Sequence, residues 1–139
     1  MVDRTLLPSG EVPWHLPLPD RLQAVGLALL SQALSFEVIA LMRVVVTTAH
    51  RMPELAKLAD RISRDSGVYC IATAIAGENA TAEAIERAST VASTFIDLVF
   101  VPHQMRALLG DDSTKLEAEA PRRVSVAIDL LSKAGWLTE

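Results

Sequence analysis

The sequence predicts an α/β fold: a parallel sheet of about four strands flanked by helices, preceded by an N-terminal arm and an extra apolar helix. Three observations point there. Apolar residues make up 50% of the chain but aromatics only 4%, so the core is aliphatic, as in Val- and Ile-rich strands covered by Ala- and Leu-rich helices. Short runs of β-branched residues are continuous rather than alternating, the pattern of strands buried on both faces. These runs alternate with segments of helical spacing, and such alternation implies right-handed crossovers between parallel strands. An all-helical bundle is the alternative, because the period of a short apolar run does not separate strand from helix.

Length and charge narrow the possibilities. The 139 residues suit one domain: an arm over 1–19, then a single domain over 20–139 with its apolar helix over about 20–36 and its core over about 38–135. The formal net charge of −4 disfavours a phosphate-backbone binder, which needs a basic face, so no nucleic-acid partner is expected. The single cysteine, Cys70, excludes an internal disulfide and a thiolate-only zinc site, and fits a reducing, cytoplasmic compartment.

The arm holds Pro8, Pro13, Pro17 and Pro19, which prevent regular structure. Asp20 reads as a helix cap, with Gln23 three residues on as in a capping box. Residues 22–36 carry no charge. That run is shorter than the ~18–20 residues of a membrane span, and Glu37 and Arg43 interrupt any longer one, so a membrane is not expected. A helix buried in the core or at a dimer contact is. Residues 38–42 and 44–48 read as the first strand. Pro53 then opens a helix through Leu55, Leu58, Ala59 and Ile62, which Ser66-Gly67 ends. Residues 68–75, bounded by Gly67 and Gly77, read as the second strand. Asn79 or Thr81 caps a helix through Ala84, Ile85, Ala88 and Val91. Residues 94–101 form a third strand closed by Pro102, and a short helix through Met105 and Leu109 stops at Gly110. Residues 115–120 form a short fourth strand. Pro121 opens a last helix with Val124, Ala127, Leu130, Leu131 and Ala134 on one face, and Gly135 stops it with Trp136 folded back onto Leu131.

In an open parallel sheet, ligands bind beyond the carboxyl ends of the strands. This order places His50 and Arg51, Glu78, His103 and Gln104, and Arg122 there. With the first and third strands adjacent, His50 and His103 face one small site, where imidazole serves a divalent first-row metal or moves protons near neutral pH. The plainer reading of each histidine is a loop residue with satisfied hydrogen bonds, and of Cys70 a buried structural thiol. Arg122 and Arg123 at a helix start oppose its dipole, which suits an anionic partner, although solvated arginines explain them more simply.

The stretch Val44-Val45-Val46-Thr47-Thr48-Ala49-His50-Arg51-Met52-Pro53-Glu54-Leu55 resembles the opening of the class II chelatases, the sirohydrochlorin cobalt- or ferrochelatase type. There a first strand ends in a histidine followed by a short polar turn and a helix. Residues 71–85, 96–102 and 115–135 resemble later elements, so the likeness covers about 42–135. It implies a flavodoxin-like α/β half-domain, a homodimer, and ATP-independent insertion of divalent cobalt, iron or nickel, as substrate metal, into a tetrapyrrole. Histidines there bind the metal and take the pyrrole protons. Only His50 matches by position. The turn after it is His50-Arg51-Met52 rather than His-Gly-Ser.

The expectation is a chelatase-like lyase acting on a small-molecule substrate, with His50 and His103 as catalytic residues and metal ligands. Arg51, Glu78, Gln104, Arg106 and Arg122 would bind the anionic substrate. One alternative is a metal-independent acid/base reaction on another anionic small molecule, with His50 as the base. Another is a non-catalytic homodimeric binding module that uses the arm and the apolar helix as its interface. A third is a membrane-associated helical protein.

Overall fold

The computed structural model describes residues 12–137. It contains five helices and, among these residues, no strand: α1 (Leu18–Ala33), α2 (Phe36–Thr48), α3 (Pro53–Ala76), α4 (Ala82–Leu108) and α5 (Ser113–Lys133). The expected flavodoxin-like sheet is therefore replaced by an all-helical fold, and each of the four expected strands lies within a helix. Most of the expected arm lies outside the described residues. Its last part, 12–17, makes a turn that leads through Pro17 and Pro19 into the first turn of α1.

The segment expected as a helix over 20–36 corresponds to α1 and the start of α2, and α1 packs in the core, one of the two places expected for it. Leu18, Leu22, Val25, Leu29 and Leu30 on α1 are all buried. Of these, Leu22, Val25, Leu29 and Leu30 meet Ile71 and Ala74 of α3, Phe95 and Val99 of α4, and Val124 and Ile128 of α5 in one cluster. Close packing is sharpest at Gly26, where a Cβ would lie 2.8 Å from Phe95 Cζ. Burial of this set, at about 25 cal/mol per Å² of apolar surface, is the main favourable term of the fold.

Physical reasons for the lost strands are local. Ser35 starts α2, its Oγ accepting from the Val38 N–H at 3.3 Å. The β-branched run that follows fits a helix because its hydroxyls turn back on it: Thr47 Oγ1 donates to the Arg43 carbonyl and Thr48 Oγ1 to the Val44 carbonyl, both at 2.8 Å. Gly67 does not end α3. It lies inside a 24-residue helix and lets Ile96 of α4 approach to 3.3 Å of its would-be Cβ. The true stop is Gly77, whose φ of 109° is open to glycine and strained for other residues.

Two prolines read as boundaries lie in helix interiors, Pro102 in α4 and Pro121 in α5. Each removes one N–H from the ladder. Packing on both sides carries the helix through: Val99 and His103 flank Pro102 in the core, and Ala120 and Val124 flank Pro121. The Pro121 carbonyl also accepts from Gln23 Nε2 of α1 at 3.1 Å. At the far end of α5, the Trp136 N–H bonds the Leu131 carbonyl at 3.0 Å, with Gly135 at positive φ, a glycine-stopped helix end.

Among the described residues no single helix is long and apolar enough to cross a membrane. The pair α1 and α2 passes by length and composition, but the two meet at 62°.

Candidate functional site

Four helices diverge enough to leave a groove of about 570 Å³, within the size range of small-molecule pockets. Its floor is apolar: Leu29 of α1 with Ile96 and Phe100 of α4, all buried. Leu41 of α2, Ile62 of α3 and Val101 of α4 form an apolar rim that faces solvent. Grouped exposed apolar side chains of this kind mark binding surfaces.

The polar lining is sparse. Gln104 Nε2 donates to the Ala33 carbonyl at 3.2 Å, which ties α4 to the end of α1. Arg64 lines the groove with its guanidinium engaged, donating to Asp97 Oδ1 at 2.6 Å and to Ser93 Oγ at 3.1 Å. Asp60, one turn before Arg64, also lines it and makes no ion pair among the described residues.

A second surface lies on the outside of α4 and α5. Leu98 and Met105 lie two turns apart on α4 with Leu109 at its C-cap, and Val126 and Leu130 lie one turn apart on α5; all are exposed.

The residues singled out from the sequence do not converge. His50 and Arg51 are exposed in the turn between α2 and α3. Glu78 is exposed in the turn before α4. Arg106 pairs with Asp111 at 3.4 Å, and Arg122 is exposed on α5. Only Gln104 lines the groove. Among the described residues no group of three or more His, Cys, Asp or Glu could hold a metal ion. Cys70 is buried in α3.

His103 is 1% exposed, held in α4 against α5, and neither ring nitrogen has a hydrogen bond of good geometry. Burial lowers its pKa, and the Arg123 guanidinium pushes the same way. The Leu116 backbone and Glu119 oppose them, and Arg106 adds to the lowering. The ring is therefore neutral at pH 7, and it sits away from His50 rather than opposite it.

The groove was not legible from the sequence, because its lining comes from four helices with no shared motif. Ile62 belongs to the apolar stripe that the sequence assigns to a helix's buried face, and the structure leaves it exposed at the rim.

No curated protein and no solved structure matches the chain. Residues 20–134 match a TetR-type family described as AefR-like transcriptional repressor, C-terminal domain. That match, with the absence of a sheet among the described residues, overturns the chelatase resemblance and leaves the lyase reading without support. The partners change with it. A small-molecule substrate has no place in a repressor domain, and the expectation of no nucleic acid fails because a transcriptional repressor acts on DNA.

Proposed function

The chain belongs to the AefR-like transcriptional repressor C-terminal domain family, and we propose that it is the regulatory domain of such a repressor. It binds a small molecule in the groove between α1, α2, α3 and α4 and pairs with a second copy through the outer face of α4 and α5. The observation that carries this reading is the groove itself, with a buried apolar floor of Leu29, Ile96 and Phe100 and few polar groups. With a net charge of −4, the domain acts on DNA binding by the repressor rather than gripping phosphates itself. It works in the cytoplasm, where such a repressor meets DNA.

Occupancy matters because the groove joins helices that are otherwise tied by few polar bonds. A ligand filling it favours one spacing of α2 and α3 against α4, and it shifts the repressor only by its differential affinity for the two arrangements. The dimer supplies symmetry, so that one ligand state is transmitted to two halves of a DNA site.

Nile red, a neutral apolar fluorophore, tests the groove. It is expected to bind and brighten with the native chain and to lose that response in Ser63→Trp, where an indole on an exposed lining position closes the opening. An equal response in both would reject the groove as the site.

A further inference from the structure

The charge on the groove points to a class of ligand. We infer that it takes a lipophilic organic cation, with the apolar body inside and the positive head at Asp60; this rests on the groove being the ligand site. Two lining residues carry charge, Asp60 and Arg64. Arg64 already has its charge balanced by Asp97, its Nη2 donating to Asp97 at 2.6 Å and to Ser93 at 3.1 Å. A carboxylate entering beside Arg64 would meet two acids, Asp60 and Asp97, against that one guanidinium. Asp60 has no ion pair among the described residues. The local sum over Asp60, Arg64 and Asp97 is thus one negative charge, and a cation answers it.

Position supports the same orientation. Asp60 and Ser63 are exposed and lie at the open side, while Leu29, Ile96 and Phe100 are buried at the floor. A ligand that buries hydrocarbon on the floor therefore leaves its head near the α3 carboxylate, still partly hydrated. That arrangement avoids the large cost of fully desolvating a charge. At this partly solvated distance, charge attraction is worth a modest factor of about five to ten in affinity rather than orders of magnitude.

The test uses three probes with one tail: decyltrimethylammonium, decanol and decanoate, each titrated below its micellar concentration into the full chain by calorimetry. Decyltrimethylammonium is expected to bind about five- to tenfold more tightly than decanoate, with decanol between them. Asp60→Asn is expected to erase that ranking while decanol binds as before, and Ser63→Trp to block all three. Decanoate binding as tightly as the ammonium, or a ranking unchanged by Asp60→Asn, would overturn the cation inference and leave the groove reading intact. Binding of none of the three, or binding undiminished in Ser63→Trp, would overturn both.

Discussion

Arg21 Nε donates to the Ala74 carbonyl at 2.7 Å, across the contact between α1 and the last turn of α3. Arg21 is 7% exposed, and α3 has no basic residue of its own in that turn. The buried guanidinium therefore meets the negative end of the α3 dipole and one of its free carbonyls. It also donates to the Leu16 carbonyl at 3.1 Å and lies 5.7 Å from the Trp14 ring centroid, which fixes residues before α1 onto the fold.

Arg21→Ala is expected to destabilise the domain by about 2–3 kcal/mol, since it removes charge-assisted bonds and leaves a buried carbonyl unpaired. Arg21→Lys should recover only part, because an ammonium does not reproduce the planar fork. Urea denaturation of the three proteins measures this, and equal midpoints for Arg21→Ala and the native chain would refute it.

At Gly26 two effects compete. Alanine gains up to about 1 kcal/mol of helix propensity, but its Cβ would lie 2.8 Å and 3.1 Å from two atoms of the fully buried Phe95 ring. That ring is also held edge-on by Phe100, with centroids 6.4 Å apart. Overpacking of this kind costs about 1–3 kcal/mol, so Gly26→Ala is expected to be less stable on balance. Gly26→Ala combined with Phe95→Leu should lose less than the sum of the single changes in thermal unfolding.

His103 makes stability depend on pH in one direction. Its folded pKa is lowered, so the unfolded chain takes up the proton first as pH falls below the ordinary value of about 6.5. The stability due to the neutral ring is complete above that pH and is lost as pH falls toward the folded pKa, at no more than about 1.4 kcal/mol per pH unit. His103→Leu should flatten this acid limb, because it removes the group that titrates. Melting curves from pH 5 to 8 would show an unchanged limb if His103 were not its source.

The Arg64–Asp97 pair is partly exposed, with side chains 36% and 56% accessible. Screening by solvent limits it to under about 1 kcal/mol, so Asp97→Asn should shift the unfolding midpoint little. Its effect belongs to binding. Freeing the guanidinium should strengthen decanoate relative to decyltrimethylammonium, and calorimetry showing no change in that ratio would count against the charge balance described for the groove.

One helix cap and one helix stop were legible in the sequence, whereas Asp20, expected as a cap with Gln23, lies inside α1, whose N-cap is Pro17. Thr81 starts α4, its Oγ1 accepting from the Ala84 N–H at 3.1 Å, and Gly135 and Trp136 close α5 as their order suggests. The strands were misread because Val, Ile and Thr clusters flanked by Gly67, Pro102 and Pro121 carry the marks of strand and boundary together. Three-dimensional packing overrode those marks. Gly67 serves the close approach of α3 to Ile96, and each proline sits in a helix held by buried neighbours on both sides. Gln104 was singled out for a strand end that does not exist, and it lines the groove because α4 runs unbroken past Pro102.

Dimerisation through α4 and α5 is expected to be sensitive to charge at Leu98 and Leu130, which are exposed on the outer face. The double change Leu98→Glu and Leu130→Glu should give a monomer by light scattering with little loss of helix signal, since neither side chain supports the core. A native chain that is already monomeric would refute that surface as the interface.

The most direct measurement is a methyl-detected NMR titration of the native chain with decyltrimethylammonium. The floor and rim methyls of Leu29, Leu41, Ile62, Ile96 and Val101 are expected to shift together and saturably, while Val126 and Leu130 on the outer face of α5 stay in place. Shifts confined to Val126 and Leu130, or none that saturate at the groove, would contradict a ligand-regulated domain built around it.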